Sequence, residues 1–436
     1  MPAMPKPNIL FLFTDDQRAD TIRALGNPHI STPNLDKLAR SGLVFRNAYC
    51  LGGTMPAVCT PSRNMLLSGR SMFRYERYAP GGQPNLADSL KDAGYFTYHH
   101  GKQGNSAVEI QKKFDVNKTV NDQEVRQSAN PGGIICDEAI RLIGERPKDK
   151  PFFAYLAFET PHDPRAAPQR FLDAYDPERI PLPANFLPQH PFDNGEMTVR
   201  DELLAPWPRT PAEIRRHLRE YYAVISALDE NIGRLLRKLE ERQILNDTLI
   251  LFSSDQGLAI GSHGLMGKQN LYQHSMNSPL FFTGPGIPKG ETRAMVYLMD
   301  IYPTLMDYIG APKPSTPDGA SFLPALQKRS NAARSRIFLA YRQVQRAIRD
   351  ERYKLITYPH INRTQLFDLR NDPHEMRDLA PLDGSAARIA WMKEELRQEQ
   401  ARFGDTQPLA SATPARAEWT PPSGDALREV RARWKM

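Results

Sequence analysis

The sequence predicts an α/β fold: a large central, mostly parallel sheet flanked by helices, followed by a smaller C-terminal antiparallel-sheet subdomain. Four continuous apolar runs, at residues 8–14, 95–100, 151–158 and 248–254, stop abruptly in polar or glycine turns, as strands buried on both faces do. Helical periodicity fills the intervals between them. After about residue 330 the texture changes to short alternating strands separated by turns, the pattern of an antiparallel sheet.

Taken in order, the first run, Ile9-Leu10-Phe11-Leu12-Phe13, is too short for a signal-peptide core. It also lacks a small-residue cleavage site and runs straight into Thr14-Asp15-Asp16, so it reads as a strand. The chain as given carries no export signal, which leads us to expect a cytoplasmic protein, or a periplasmic or secreted one if a leader has been removed. Thr60 is a plausible N-cap for a short helix, with Pro61 in its first turn and Gly69 as its left-handed end. A long helix is predicted over about 210–242, where Tyr221, Ile225, Leu228, Ile232, Leu235, Leu236 and Leu239 fall on one face. Strands at 336–341, 346–349, 353–358 and 365–368 and a helix near 386–402 make up the small subdomain. Residues 405–436, rich in Pro, Ala, Ser and Arg, read as a tail that packs across the surface or is partly disordered, with Trp419 and Trp434 as anchors. The expected organisation is a catalytic domain over 1–330, a small α+β subdomain over 331–404 and the tail.

Composition narrows the function classes. A chain of 436 residues that is 40% hydrophobic and 25% charged can build a sizeable core, and no apolar run approaches membrane-spanning length. The net charge of +7 suits anionic substrates, but the basic residues are scattered and no basic-aromatic constellation argues for nucleic acid. Cys50, Cys59 and Cys136 form neither a disulfide framework nor a Cys-x-x-Cys pair.

The chemistry gathers at the ends of the predicted strands, where ligands bind in doubly wound sheets. Cys59 lies where a helix would begin, and free backbone N–H groups there favour an anion. Arg63, one turn on, can reach back with charge-assisted hydrogen bonds. A thiol in that setting would be reactive, whereas a lone Cys-x-Pro is more often a buried structural cysteine. Asp15-Asp16 follows the first run and Asp255-Gln256 follows the run at 248–254. Either pair alone reads as a solvated turn. Together they offer three carboxylates and an amide oxygen, a hard-oxygen cage for Ca²⁺ or Mg²⁺, of which Ca²⁺ better fits six or more mixed oxygen ligands.

The run Cys59-Thr60-Pro61-Ser62-Arg63 followed by Leu67-Ser68-Gly69-Arg70 resembles the signature of the type I sulfatases, members of the alkaline phosphatase superfamily. The resemblance implies that Cys59 is oxidised to formylglycine by a formylglycine-generating enzyme. The aldehyde hydrate would attack sulfur with one oxygen and expel sulfate by re-forming the carbonyl with the other. It also implies that Asp15, Asp16, Asp255, Gln256 and the modified Cys59 surround the metal, Gln256 departing from the family's Asn or His. Gly101-Lys102, Pro161-His162-Asp163-Pro164 and Gly264-Leu265-Met266-Gly267-Lys268 resemble further family segments. Lys102 and Lys268 would then neutralise the sulfate oxygens, and His162 would protonate the leaving alkoxide. Where the family carries a histidine two residues after the lysine, this chain has Gly104. His100, which shares strand parity with Lys102, is the substitute base we expect, with Asn105 or His263 as other contributors.

Three functions are weighed. The first is a sulfuric ester hydrolase acting on a small sulfate ester, most plausibly a sulfated sugar. The second is a phosphonate or phosphate-ester hydrolase on the same scaffold, and the third a sulfated-glycan binder with Cys59 unmodified. Candidate substrate contacts, chosen by nearness in sequence, are Asn105, Asp163, Arg165, His263, Tyr272 and His274. No nucleic-acid or membrane partner is expected.

Overall fold

The computed structural model describes residues 6–121, 130–312, 314–316, 318–330 and 333–436. The large sheet contains β1 (Asn8–Thr14), β2 (Leu43–Tyr49), β4 (Phe96–Lys102), β5 (Val116–Val120), β6 (Phe152–Ala157), β7 (Thr248–Ser254), β8 (Asn277–Ser278), β9 (Leu280–Thr283) and β10 (Gly290–Tyr297). Its order is β10-β2-β9-β7-β1-β6-β4-β5, with β8 beside β2. β1 lies at the centre, parallel to β6 and β7, and Phe11 is opposite both Tyr155 and Leu251. β9 runs antiparallel to β7 and β2.

Double-sided burial explains the unbroken apolar runs. Ile9, Phe11 and Phe13 enter one core cluster, together with Met65, Leu66 and Leu67 of the helix α2 (Cys59–Ser68). Leu10 and Leu12 enter the other, against α3 (Gly133–Glu145) and α4 (Pro211–Glu241). Strand alternation therefore gives hydrophobic residues at both parities. α4 starts where the sequence places it: Pro211 occupies the first turn, and the Thr210 side chain accepts a hydrogen bond from Glu213 N at 3.3 Å. Its apolar face divides, with Leu228, Ile232, Leu235 and Leu239 on the sheet and Tyr221 and Ile225 in a third cluster near the strand ends. β4 runs two residues further than the apolar pattern, because Gly101 pairs with Ala157 and Lys102 with Val120. The strand thereby delivers Lys102 to the site.

The small sheet has the order β14-β13-β12-β11-β3, built from β11 (Ile337–Tyr341), β12 (Gln345–Arg349), β13 (Tyr353–Tyr358), β14 (Arg363–Asp368) and the two-residue β3 (Gly52–Gly53). β3 follows β2 in the chain, so backbone pairing joins the two sheets. Gly52 makes this possible: its φ is +124°, and a Cβ there would lie 1.9 Å from Ala340 O. One core cluster runs from β1 through α2 into Phe338, Tyr341 and Leu355. The helix α5 (Ala386–Phe403) closes the small sheet.

The tail crosses the surface. Buried Asp405 pairs with Arg346 at 2.6 Å, Trp419 meets Trp207 edge-on, and α6 (Gly424–Arg433) precedes Trp434, whose indole N–H donates to Thr198 O at 3.0 Å. No helix among the described residues is long and apolar enough to cross a membrane.

Candidate active site

Thr14 lies opposite Ser254 in the ladder, so β1 and β7 end level and present Asp15-Asp16 and Asp255-Gln256 side by side. Asp255 Oδ1 accepts hydrogen bonds from the backbone N–H of Asp16 (3.0 Å) and of Gln256 (2.9 Å). Asp16 adopts φ +66°, a strained conformation outside glycine. That bond and one from the Tyr221 hydroxyl to Asp16 O hold it there.

Three cations meet these three carboxylates. Arg63, fully buried, places Nη2 3.0 Å from Asp15 Oδ2 and Nε 3.1 Å from Asp255 Oδ2, with its guanidinium against the Phe13 ring. Lys102 Nζ lies 2.8 Å from Asp15 Oδ2. Lys268 Nζ lies 2.8 Å from each oxygen of Asp16, and Gln256 Nε2 donates to Asp16 Oδ1 at 2.7 Å. The balance is uneven. Burial works to raise Asp15, but Lys102 and Arg63 outweigh it and hold the carboxyl well below its usual range. At Asp255, burial and the charge of Asp15 prevail over Arg63 and push the carboxyl up to about 7. Burial pulls Lys102 and Lys268 down, yet Asp15 and Asp16 raise them above an ordinary lysine.

α2 begins at Cys59, two residues earlier than a Thr60 cap implies. Thr60 N bonds Ala57 O, which puts Thr60 inside the first turn and makes Val58 the N-cap without a side-chain cap bond. The expected Thr60 cap is therefore corrected, while Gly69 ends the helix at φ +64°. The expectation of a reactive thiol is corrected too. Burial pushes Cys59 up to about 12 against the pull of Lys102 and Lys268, so an unmodified side chain stays protonated. Arg63 points to Asp15 and Asp255 and leaves one nitrogen, Nη1, without a partner.

Several polar atoms of these segments are buried without hydrogen-bond partners: Asp15 Oδ1, Gln256 Oε1, Thr60 Oγ1 and Arg63 Nη1. Native interiors rarely leave such atoms unmatched. The Cys59 sulfur and one oxygen each of Asp15 and Asp255 lie within 4.8 Å of one another, as do ligand atoms of Asp15, Asp16 and His162.

His162 stands on the adjacent loop. Its Nδ1 is 2.6 Å from Asp163 O, and since a carbonyl only accepts, Nδ1 carries the hydrogen. Nε2 is left 3.7 Å from Asp16 Oδ2. Arg200 grips the Asp163 carboxylate, with Nη1 2.8 Å from Oδ1. Lys102, Glu159, His162 and Asp163 line one pocket, where Glu159 Oε2 has no partner and burial raises its carboxyl. Sequence reasoning missed Arg200 and Glu159. Glu159 adjoins the Thr160-Pro161-His162 segment and could have been noticed, but nothing local marks Arg200.

Most of the remaining predicted residues have partners of their own. His100 has Nδ1 2.9 Å from the Tyr98 hydroxyl, so one nitrogen of the expected substitute base is engaged within its own strand. Asn105 is exposed at φ +49°. Arg165 lies over the Tyr221 ring with Nη1 3.2 Å from His217 Nδ1. His263 stacks on Tyr272 at 3.9 Å, and the Tyr272 hydroxyl donates to Gln365 at 2.8 Å. Tyr272 thereby reaches the small sheet, and His263 Nε2 lies 3.1 Å from Asn185 Nδ2. The loop between Gln256 and Lys268 folds back on itself, with Ala259 N on Gly267 O (3.0 Å) and Gly261 N on Leu265 O (2.7 Å).

A family model described as "Sulfatase" matches residues 7–311, and one described as "N-sulphoglucosamine sulphohydrolase, C-terminal" matches residues 261–402. The chain is 26% identical over 495 residues to an N-acetylglucosamine-6-O-sulfatase of Bacteroides thetaiotaomicron, covering 92% of this chain and 88% of that protein. It is 30% identical over 352 residues to the N-sulphoglucosamine sulphohydrolase of Homo sapiens, covering 73% and 66%. A solved structure in complex with its substrate D-glucosamine-2-N,6-O-disulfate superposes with a TM-score of 0.78 at 25% identity, covering 92% and 99%. A phosphonate monoester hydrolase from Silicibacter pomeroyi also superposes at 0.78, at 21% identity over 92% and 96%, which is a likeness of fold.

Proposed function

The chain belongs to the sulfatase family, and from that premise we propose that it removes sulfate from a sulfated saccharide, using an aldehyde formed from Cys59 and a bound Ca²⁺. The observation that carries this reading is the convergence of the Cys59 sulfur with Asp15 and Asp255 inside a 4.8 Å cluster. The saccharide is supported by the relatives named for glucosamine sulfates.

The residues fit the cation. Asp15 Oδ1 and Gln256 Oε1 are buried oxygens with no partner, and Asp255 is pushed up to about 7 because burial and Asp15 disfavour a further negative charge there. A hard cation answers both features. Asp15, Asp16, Asp255 and Gln256 would hold it, with an oxygen on the modified Cys59. When present, the aldehyde hydrate supplies an oxygen nucleophile at sulfur, and Ca²⁺ withdraws charge from the sulfate oxygens.

The chain's own groups do the rest. Arg63 fixes Asp15 and Asp255 in one arrangement. Lys102 and Lys268 bring two buried positive charges to the sulfate, where low dielectric strengthens their effect. His162, with Nδ1 held by Asp163 O, gives its proton from Nε2 of the imidazolium to the departing alkoxide oxygen and becomes neutral. Burial of Cys59 keeps bulk water away.

The test joins two measurements: mass spectrometry of the Cys59 peptide from protein made with a formylglycine-generating enzyme, and rates on an aryl sulfate against an aryl phosphonate monoester. Aldehyde at Cys59 with faster sulfate release is the expected result. Faster phosphonate cleavage would replace this reading with the phosphonate one, and binding without turnover by fully modified protein would replace it with that of a glycan binder.

A further inference from the structure

A cleft of about 470 Å³ lies between the two sheets, a common place for ligand pockets. Its walls come from β2 and β10, the segment at residues 273–277, the turn between β12 and β13, and the turn at 369–375. It shares no lining residue with the catalytic cluster. Arg18, two residues beyond Asp16, lines one end, so the cleft opens beside the loop that carries the metal-binding carboxylates.

Two polar side chains in its wall are incomplete. His274 has both ring nitrogens buried without a partner, and so has Asn277 its Oδ1. Asn277 Nδ2 already donates to Arg46 O, which fixes Oδ1 as the free acceptor. Leaving such groups unmatched is costly. Burial and the nearby Arg18 hold His274 well below its ordinary pKa, so the ring is neutral and offers one donor and one acceptor. Both residues line the cleft, and sugar hydroxyls, which donate and accept, are the kind of partner these atoms lack.

The rim adds charge. Of the lining charges, Arg18 pairs with Asp20, Arg46 with Glu291, and Glu375 with the buried Lys354. Among the described residues, the exposed guanidinium groups of Arg293 and Arg370 meet no carboxylate, and Glu351 is the lining acid without a cationic partner. The free groups therefore carry a net positive charge. Guanidinium forks suit sulfate oxygens.

We infer that this cleft is a second, non-catalytic saccharide site, in which His274 and Asn277 bind sugar hydroxyls while Arg293 and Arg370 bind a sulfate of the same glycan. The inference rests on the sulfatase reading for the identity of the anion. Its test measures binding of a heparin-derived hexasaccharide, and of its chemically desulfated form, to Cys59→Ala protein by calorimetry. The Arg293→Ala/Arg370→Ala double variant should bind the sulfated form about tenfold more weakly and the desulfated form unchanged. In the matured background the same double substitution should hydrolyse a small aryl sulfate within about twofold of wild type, which also shows that it folds. Equal affinity in the double variant, or complete displacement of the hexasaccharide by a small sulfate ester, overturns the proposal. Failure of matured wild-type protein to hydrolyse aryl sulfate would instead strike the sulfatase reading, and the binding comparison would still decide the cleft.

Discussion

Lys268 sets its ammonium nitrogen 2.8 Å from both carboxylate oxygens of Asp16, although the two residues are 252 positions apart. A lysine identified for its reach toward sulfate is thus anchored on a carboxylate identified for its reach toward metal. One buried charge is placed to serve both proposed roles. Lys268→Met should lower kcat/KM on an aryl sulfate about 10²–10³-fold, as removal of an oxyanion-stabilising group does. Lys268→Arg should not restore it, since a planar fork cannot replace a compact charge in a closed site. Near-wild-type kcat/KM in Lys268→Met would remove this residue from the mechanism.

Cys59 offers a test of chemistry before maturation. With its thiol pushed up to about 12 by burial, only about one molecule in ten thousand is thiolate at pH 8. Iodoacetamide should label Cys59 in native, unmodified protein far more slowly than after unfolding, and labelling should rise with pH toward 12. Native labelling at the rate of an unfolded cysteine would contradict the buried helix start.

The carboxylate cluster predicts a response to metal. Ca²⁺ at about 100 times its Kd should stabilise the fold by about 2.7 kcal/mol, seen as a rise in Tm after a chelator has stripped the protein. Asp15→Asn should lose most of that rise. An equal rise in Asp15→Asn and wild type would move the cation elsewhere.

Arg200 is placed to act on His162 through Asp163. It holds Asp163, whose carbonyl fixes His162 Nδ1. Arg200→Ala should lower kcat about tenfold with KM little changed, whereas His162→Ala should lose about 10²–10⁴-fold. A parallel rise in KM would show that Arg200 contacts substrate instead of positioning His162.

The tail gives a stability test. Arg346 and Asp405 are both buried in their pair, and Asp405→Ala leaves the guanidinium unmatched, at a cost of about 3–5 kcal/mol. Denaturant titration checks the magnitude. A loss under about 1 kcal/mol would mean that solvent reaches the arginine.

Much of the architecture was legible because it depends on local periodicity. Asn8–Thr14 and Thr248–Ser254 are strands over the residues their apolar runs span, since both faces are buried. Pro211 and Thr210 announce the start of α4 by their own chemistry. β4 was harder, because Gly101 and Lys102 are held by neighbours on β5 and β6 and not by any hydrophobic pattern of their own. The Thr60 cap failed for a similar reason: Ala57 O had already taken its N–H. His263 and Tyr272 flank Lys268 in the chain, and only the packed chain stacks their rings and sets the Tyr272 hydroxyl on Gln365.

The sequence by itself determined the element types and singled out, as candidates at strand ends, Cys59, Arg63, Asp15, Asp16, Asp255, Lys102, His162 and Lys268. Those depend on short-range patterns and distinctive runs of residues. Only the tertiary structure decided how charges pair: Lys102 with Asp15, Lys268 with Asp16, and Arg63 between Asp15 and Asp255. It also decided that burial, not the helix end, governs the Cys59 thiol, and it brought Arg200 to Asp163. Electrostatic energy depends on distance and desolvation, and neither exists until remote segments of the chain are packed together.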